Sequence, residues 1–557
     1  MLKAAATFIC SSVKLAFKFM EGLSLVKEER NDVLLQYSNR RRKEKNMPSI
    51  NVEKNNSKRA RGLTGFLNGI EKIGNKLPDP FMLFVYLAIA VMIISAVVSM
   101  FDITVVHPAT KEKLPIKSLL SGEGLQYILT SMIMNFTSFK PLGIVLTMML
   151  GIGLAEKVGL LETAMKKTIL HVPRALISYT TIFIGILGNI ASDAAFVIIP
   201  PLAAMIFYTV GRHPLAGLAA GFAGTGAGFT ANFMISGADG LLSGISTEAI
   251  KTTHPNVVVT PIDNWFFMSA SVIVLTFVGV FVTEKIVEPR LGKYTGNTEK
   301  KMEKITKQET DGLKVAALIG MIFWTVVLAF LLWPHSPLRN EDGKIVPSPF
   351  LDGIVPIIFL FFLTIGIVYG MKVGKIKNTR DVAKWMGEAM KDMSGYIVLI
   401  FAAAQFISFF EWSNLGIWLA VNGALFLKSI HLTGIPVIIC FILLTALLNL
   451  LIFSGSAQWA LEAPIFIPMF AMLDYHPAFI QVAYRLADSS TNIITPLNPY
   501  MVVILAFMRE YDKKAGIGTL ISLMLPYSLF FLSVWIILLL IFIFFGIPFG
   551  PGIGVYI

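Results

Sequence analysis

The chain has 557 residues, of which 55% are hydrophobic and 15% charged, with a formal net charge of +12. A soluble protein of this size carries about 25% charged residues, so the composition excludes an ordinary soluble domain and points to a polytopic membrane protein. The basic residues lie between apolar runs and in the N-terminal tail, as in cytoplasmic loops, which excludes a nucleic-acid partner.

Residues 1–62 read as a basic N-terminal extension in the cytoplasm. Positions 1–26 interleave apolar residues with Lys3, Lys14 and Lys18, which argues against a signal peptide and for an amphipathic surface helix. Arg40, Arg41, Arg42, Lys43, Lys45, Lys58, Arg59 and Arg61 then form a low-complexity tail suited to anionic lipid, with Met47 as an alternative start. Cys10 and Cys440 supply neither a disulfide framework nor a metal spacing.

From residue 63 onward the chain reads as one all-α transmembrane transporter domain. Spans are expected over Phe81–Phe101, Ala175–Leu187, Trp265–Val287, Leu313–Trp333, Leu351–Met371, Met393–Phe410, Ile435–Leu451 and Ile517–Phe545. The weaker run Gln126–Phe139 ends at Lys140-Pro141 and restarts at Leu142, a broken segment. Gly217, Gly221, Gly224, Gly226 and Gly228 predict close helix contacts, and residues 236–263 read as a polar external loop. About nine spans result, with the N-terminus cytoplasmic and the C-terminus external from the Lys/Arg asymmetry of the loops.

Between two apolar flanks, Asn449 to Tyr500 gathers Asn449, Ser454, Ser456, Gln458, Glu462, Arg485, Asp488 and the run Ser489-Ser490-Thr491-Asn492. Pro464, Pro468, Pro477, Pro496 and Pro499 fall in the same stretch. Unsatisfied backbone in hydrocarbon costs several kcal/mol, so such a stretch belongs inside protein, lining a solute cavity. An earlier region repeats the order of features. With His213-Pro214 set over His476-Pro477, Asp193 falls opposite Ser456, Pro201 opposite Pro464, Thr225 opposite Asp488 and Asn232 opposite Thr495. Paired interruptions in two halves are the mark of a transporter site built from inverted repeats. Re-entrant hairpins are expected over about 191–208 and 454–473, with a helix tip at Ser454-Gly455-Ser456 presenting N–H groups to a carboxylate.

The stretches SGSAQWALEAPIFIPMF, YRLADSSTNIITPLNPY, GFTANFMISGADGLLSGISTEA and GNKLPDPF resemble the AbgT family, the p-aminobenzoyl-glutamate transporters, from about Gly62 to the end. The resemblance implies a homodimer with inverted repeats and two re-entrant hairpins. It also implies transport of p-aminobenzoyl-glutamate, or export of p-aminobenzoate-like antimetabolites such as sulfonamides. Its functional positions match Asp193, Asn449, Ser456, Trp459, Pro477, Arg485, Asp488 and Pro496.

Three residues apart, Arg485 and Asp488 share a helix face as a potential ion pair, and Arg485 suits a substrate carboxylate. Asn449 and Asp488, with Ser489, Thr491 and Asn492, offer the oxygens of a sodium site; Asp488 is equally suited to carry a proton. Asp193 is a second protonatable or coordinating group, or else a helix cap. Trp459 is placed to stack on an aminobenzoyl ring, while Pro477 and Pro496 shape backbone. Glu462 and Glu411 read as water-exposed or structural, and His213 and His476 as turn residues. No H-E-x-x-H, G-x-S-x-G or G-x-x-x-x-G-K-[ST] motif occurs, so the reading is an ion-coupled secondary transporter of a small acidic aromatic solute, neither enzyme nor ATPase, with no cofactor beyond a bound sodium ion.

Overall fold

The computed structural model describes residues 78–557 apart from 107–110, 171, 192–193, 297–304, 334 and 346–347. The N-terminal extension with its amphipathic segment, basic tail and Met47 lies outside the described residues, as do Asp193 and the first half of the GNKLPDPF motif. What is described is mostly helical.

Helix α1 (Pro80–Ser99) opens on Asp79, whose carboxylate accepts the Phe81 amide, with Pro80 where no N–H is needed. Its 20 residues reach about 30 Å, the thickness of a hydrocarbon core. A short antiparallel ribbon follows, β1 (Thr104–Val106) against β2 (Lys113–Pro115), with Val105 opposite Leu114. Helices α2 (Gly122–Thr137) and α3 (Lys140–Lys157) are separated where Lys140-Pro141 predicted a break.

Next come α4 (Leu160–Leu170), α5 (Ile177–Leu187), α6 (Ala194–Thr209) and α7 (Pro214–Phe222), whose last turn widens into a π-turn over Ala223–Ala227. Helix α8 (Gly237–Ile250) and the long α9 (Trp265–Val282) follow, the latter continued by a π-turn and α10 (Glu288–Leu291). Next come α11 (Lys307–Leu332), α12 (Pro349–Asp352), α13 (Ile354–Lys372), α14 (Thr379–Asp392), α15 (Ser394–Trp412) and α16 (Leu415–Ser429). Then follow α17 (Ile435–Asn449), α18 (Gly455–Ala471), α19 (Pro477–Thr491) and α20 (Tyr500–Tyr511), before the terminal α21 (Ile517–Phe545).

Seven helical runs among the described residues are long and apolar enough to cross a bilayer, or up to eight if the bent pair Leu160–Ile169 and Arg174–Ile190 forms one span. This is a multi-pass membrane protein. Helix α17, expected as a full span, has 15 residues where a crossing needs about 20.

Two cores form. Helices α3, α11 and α13 share one, built on Ile152, Ala155, Ala316, Ile358 and Phe361. Bare backbone makes that contact: a Cβ on Gly151 would lie 2.5 Å from the Phe359 carbonyl oxygen. The larger core gathers α7, α8, α9, α18, α19 and α21 around Phe222, Phe267, Trp459, Phe479 and Trp535. The C-terminal tail folds back on it: the amides of Phe266 and Phe267 donate to the Phe549 carbonyl, and that of His476 to Val555.

Two expectations are corrected here. Residues 236–263 are not a loop, because α8 occupies 237–250 and is mostly buried. Its small polar residues, which read as loop, serve close packing: a Cβ on Gly244 would lie 2.9 Å from Pro141 Cα, and one on Gly240 2.7 Å from Ile144. Nor does the chain double back within 194–208 or 455–471, the described helical parts of the two expected hairpins. Pro200 and Pro201 lie inside α6, and Pro464 and Pro468 inside α18, so each of these parts is one helix. Packed neighbours keep a proline-bearing helix whole in a membrane protein. At α6 that neighbour is α7, where a Cβ on Gly221 would lie 2.8 Å from Pro200 Cα.

Candidate substrate and ion site

Helix α19 is the axis of the site, and every residue of it is buried. His476 caps it, its Nδ1 accepting the Ala478 amide at 3.2 Å, with Pro477 in the first helical position. The helix stops after Thr491, and the backbone stays irregular through Pro499. Side chains from the same stretch satisfy the freed groups. Asn498 Nδ2 donates to the Asn492 carbonyl at 2.9 Å, Thr495 Oγ1 to the Leu450 carbonyl at 3.0 Å, and the Tyr500 amide to Asn498 Oδ1 at 2.9 Å. Buried backbone polar groups need such partners, so the break is a built feature. Pro496 lies within it, half-buried.

Where α19 ends, α17 ends too, and Asn449 joins them. Its Nδ2 meets three oxygens, the Asp488 carbonyl at 2.5 Å, Thr491 Oγ1 at 2.8 Å and Asn492 Oδ1 at 3.1 Å. A carboxamide has two N–H bonds to offer three acceptors, and Asn449 Oδ1 is buried without a partner. Asp488 is 3% exposed, and its Oδ1 is buried and unpartnered as well. Four of the five residues expected at a sodium site therefore meet: Asn449, Asp488, Thr491 and Asn492. Ser489 turns away to Thr230 Oγ1 at 2.7 Å.

Helix α18 begins against Asp488. A Cβ on Gly455 would lie 3.1 Å from Asp488 Oδ2, so glycine lets the carboxylate approach the helix start, where the backbone dipole favours negative charge. Ser454 caps α18 by accepting the Ala457 amide, and Ser456 Oγ lies 3.2 Å from Ser454 Oγ, both half-buried. The Gly455 carbonyl accepts the Tyr484 hydroxyl at 2.5 Å.

Arg485 does not pair with Asp488. Its Nη2 lies 2.7 Å from Asp239 Oδ1 of α8 and donates to the Thr230 carbonyl, also at 2.7 Å, with both charged groups buried. Asp239 is committed in turn: its Oδ2 accepts Asn232 Nδ2 at 2.8 Å, Ser236 Oγ at 2.8 Å and the Ser236 amide at 2.7 Å. A buried guanidinium needs a fixed counter-charge, and α8 carries it. Nε of Arg485 has no partner.

Trp459 is fully buried between α8 and α19. Its Nε1 donates to the Leu242 carbonyl at 3.2 Å and Ser246 Oγ at 3.1 Å, and its ring lies 4.4 Å from that of Tyr484. The network runs on through Ser246 to Gln481 Oε1 at 2.7 Å, and from Gln481 to Asn264 Oδ1 at 2.9 Å. Glu462, expected in water or in a structural role, is 1% exposed. It accepts Thr445 Oγ1 at 2.6 Å and Gln458 Nε2 at 2.8 Å. Glu411 is exposed at the end of α15.

Both halves converge on α19. Thr230, just past the π-turn, takes Arg485 and Ser489, and a Cβ on Gly226 would run into the Ile493 side chain. Asp239, Asn264 and Gln481 escaped the sequence reading. Ser236-x-x-Asp239 was the available signal, since a cap spacing before a small-residue run marks a helix start where a loop was read. Nothing comparable pointed to Asn264 or Gln481.

The AbgT transporter family profile matches residues 65–557. The chain belongs to the AbgT family. It is 45% identical over 485 residues to the p-aminobenzoyl-glutamate transport protein of Escherichia coli K12, covering 87% of this chain and 96% of that one. Two solved AbgT structures align closely. MtrF of Neisseria gonorrhoeae, described among antimetabolite efflux pumps, shares 45% identity with a TM-score of 0.83, over 88% of this chain and all 100% of its own. The YdaH transporter of Alcanivorax borkumensis shares 40% identity with a TM-score of 0.82, over 85% of this chain and 100% of its own. As an AbgT member this chain is a transporter and not an enzyme.

Proposed function

We propose that this AbgT member is an ion-coupled secondary transporter of p-aminobenzoyl-glutamate or related p-aminobenzoate-like solutes across the cytoplasmic membrane. The observation that carries the reading is the junction of α17, α18 and α19, where buried, unpartnered oxygens of Asn449 and Asp488 face a helix start and a helix end. A helix C-terminus with freed carbonyls suits a cation, and a helix N-terminus suits a carboxylate. The oxygen set of Asn449, Asp488, Thr491 and Asn492 fits sodium; the buried Asp488 carboxyl fits a proton equally. Asp193, Ser456, Trp459, Pro477, Arg485 and Pro496 complete the transport machinery, Pro477 and Pro496 as the residues that start and break the backbone around it. Arg485 takes the substrate carboxylate by exchanging its present partners, and Trp459 takes the aromatic ring after leaving Tyr484.

A second reading, proton-driven export of sulfonamide antimetabolites and folate-pathway metabolites, is favoured by the likeness to MtrF. It uses the same residues on the same class of solute. The architecture we adopt is a homodimer with about nine spans, an inverted repeat, a cytoplasmic N-terminus and an external C-terminus. Equal treatment of the His-Pro caps in the two halves supports the repeat.

Counterflow in proteoliposomes with labelled p-aminobenzoyl-glutamate, under separately imposed sodium and proton gradients, tests the reading. Saturable counterflow accelerated by one gradient is expected. Flux indifferent to both gradients would refute ion coupling.

A further inference from the structure

Glu462 is a carboxyl buried in a helix of the site without an ionic partner. Its oxygens meet two neutral donors, Thr445 Oγ1 of α17 and Gln458 Nε2 one turn back on α18. The charged groups of the packed elements are engaged or placed elsewhere. From α19, Arg485 pairs with Asp239 of α8, while Asp488 and the Tyr484 hydroxyl meet the start of α18. Also on α8, Lys251 pairs with Glu248. On α16, Lys428 is exposed in the last turn, and Glu411 is exposed at the end of α15. The other titratable groups are Cys440 of α17, which is exposed, and Tyr396 of α15, whose hydroxyl donates to the Pro141 carbonyl at 3.0 Å.

An ionised carboxylate in that position would be costly, because two neutral hydrogen bonds do not replace its hydration. A protonated one is accommodated. The 2.6 Å contact to Thr445 Oγ1 suits a hydroxyl–carboxyl hydrogen bond of either polarity, since a hydroxyl both donates and accepts. Beside it, Gln458 spends its Nε2 on Glu462 and the Thr445 carbonyl, and its Oε1 remains a buried acceptor without a partner.

Glu462 is also joined to the coupling site. Thr445 and Asn449 are one turn apart on α17, as Gln458 and Glu462 are on α18, so the polar groups form one seam. The seam starts at Asp488 and Gly455 and reaches Glu462 about 10 Å further along α18. It is the contact that separating α17 from α18 would open.

We infer that Glu462 is a second proton-carrying carboxyl of this transporter, protonated while α17 and α18 pack along this seam and ionised when the seam opens. On opening, the carboxyl O–H bond breaks, the electron pair stays on the carboxylate and the proton passes to entering water; closing reverses the step. The inference rests on the ion-coupled reading above.

The test uses the full-length protein in liposomes. The infrared spectrum should hold a protonated-carboxyl carbonyl band that vanishes in Glu462→Gln and shifts in Glu462→Asp, which keeps the ionisable group. Identical bands in wild type and Glu462→Gln would overturn the inference without reference to transport. Protons moved per labelled p-aminobenzoyl-glutamate are then counted with an internal pH dye. The count should fall by about one in Glu462→Gln and recover in Glu462→Asp. An unchanged count in Glu462→Gln beside a proton-moving wild type overturns the inference alone. A wild type that transports without moving protons overturns it together with proton coupling itself.

Discussion

The region of α6 and α7 and that of α18 and α19 begin their His-Pro helices alike and end them differently. Each interrupted helix starts with a histidine whose Nδ1 accepts an amide at 3.2 Å and a proline in the first helical position. From there α7 runs 9 residues into a glycine-rich π-turn, while α19 runs 15 residues and ends in an irregular, oxygen-rich segment. The first half contributes proximity: Cβ atoms on Gly185 and Gly224 would each come within 2.9 Å of the other residue's Cα. The second contributes chemistry through Asn449, Arg485 and Asp488. One region thus carries a packing surface and the other charged groups, and the second is not complete alone, because Arg485 is held by Thr230 and by Asp239 of α8.

Substituting the chemistry should be the most damaging change. Asp488→Asn is expected to abolish transport of p-aminobenzoyl-glutamate in proteoliposomes while size-exclusion and melting profiles match wild type. Normal flux from that variant would take Asp488 out of the mechanism. Cutting the tie between α19 and α8 comes next. Asp239→Asn leaves the Arg485 guanidinium buried without its counter-charge and should cost about 3–5 kcal/mol, read as a large fall in melting temperature. A wild-type melting temperature would mean that Arg485 has another partner of equal strength.

A matched pair of glycine substitutions separates packing from chemistry. Gly224→Ala puts a Cβ within 2.8 Å of the Ile182 carbonyl oxygen, a backbone clash expected to destabilise by about 1–3 kcal/mol. Gly455→Ala instead meets the Asp488 carboxylate at 3.1 Å and should weaken apparent coupling-ion affinity about tenfold, about 1.4 kcal/mol, with little change in melting. Equal losses of stability in both variants would dissolve the distinction.

The smallest effect tests the shared frame. His213→Ala and His476→Ala each remove one cap acceptor and should each cost about 1 kcal/mol. Burial pushes the His476 imidazole down to about 4. A neutral folded-state histidine means the unfolded chain binds the extra proton, so this contribution is complete above the ordinary histidine range and declines as pH falls toward 4. Melting curves across that window should show a shallower slope in His476→Ala; an unchanged slope would detach the cap from the pH response.

Much of this was legible in the residues themselves. Membrane class, the break at Lys140-Pro141, the polar stretch around Asp488 and the His-Pro turns all follow from local composition, because hydrocarbon tolerates few polar groups and proline removes a donor wherever it stands. Arg485 and Asp488 could be singled out for the same reason, as ionisable residues in a broken apolar stretch, whereas Trp459 stands out through the family resemblance and its place three residues after Ser456. Their partners are another matter. Spacing put Arg485 beside Asp488 on one helix face, yet its ion pair reaches across to Asp239 on α8, in a segment that read as loop.

A helix of small polar residues and a surface loop have the same composition. Only the packing of α8 against α3 and Trp459 distinguishes them. Glu462 makes the point most sharply, since its chemistry is set by which neighbours close around it, and no count of residues along the chain reveals that α17 supplies a threonine and no cation. The sequence by itself determined where polar groups and broken backbone would interrupt the membrane helices. Tertiary structure alone decided which charges meet, because pairing depends on distances between helices remote in the chain.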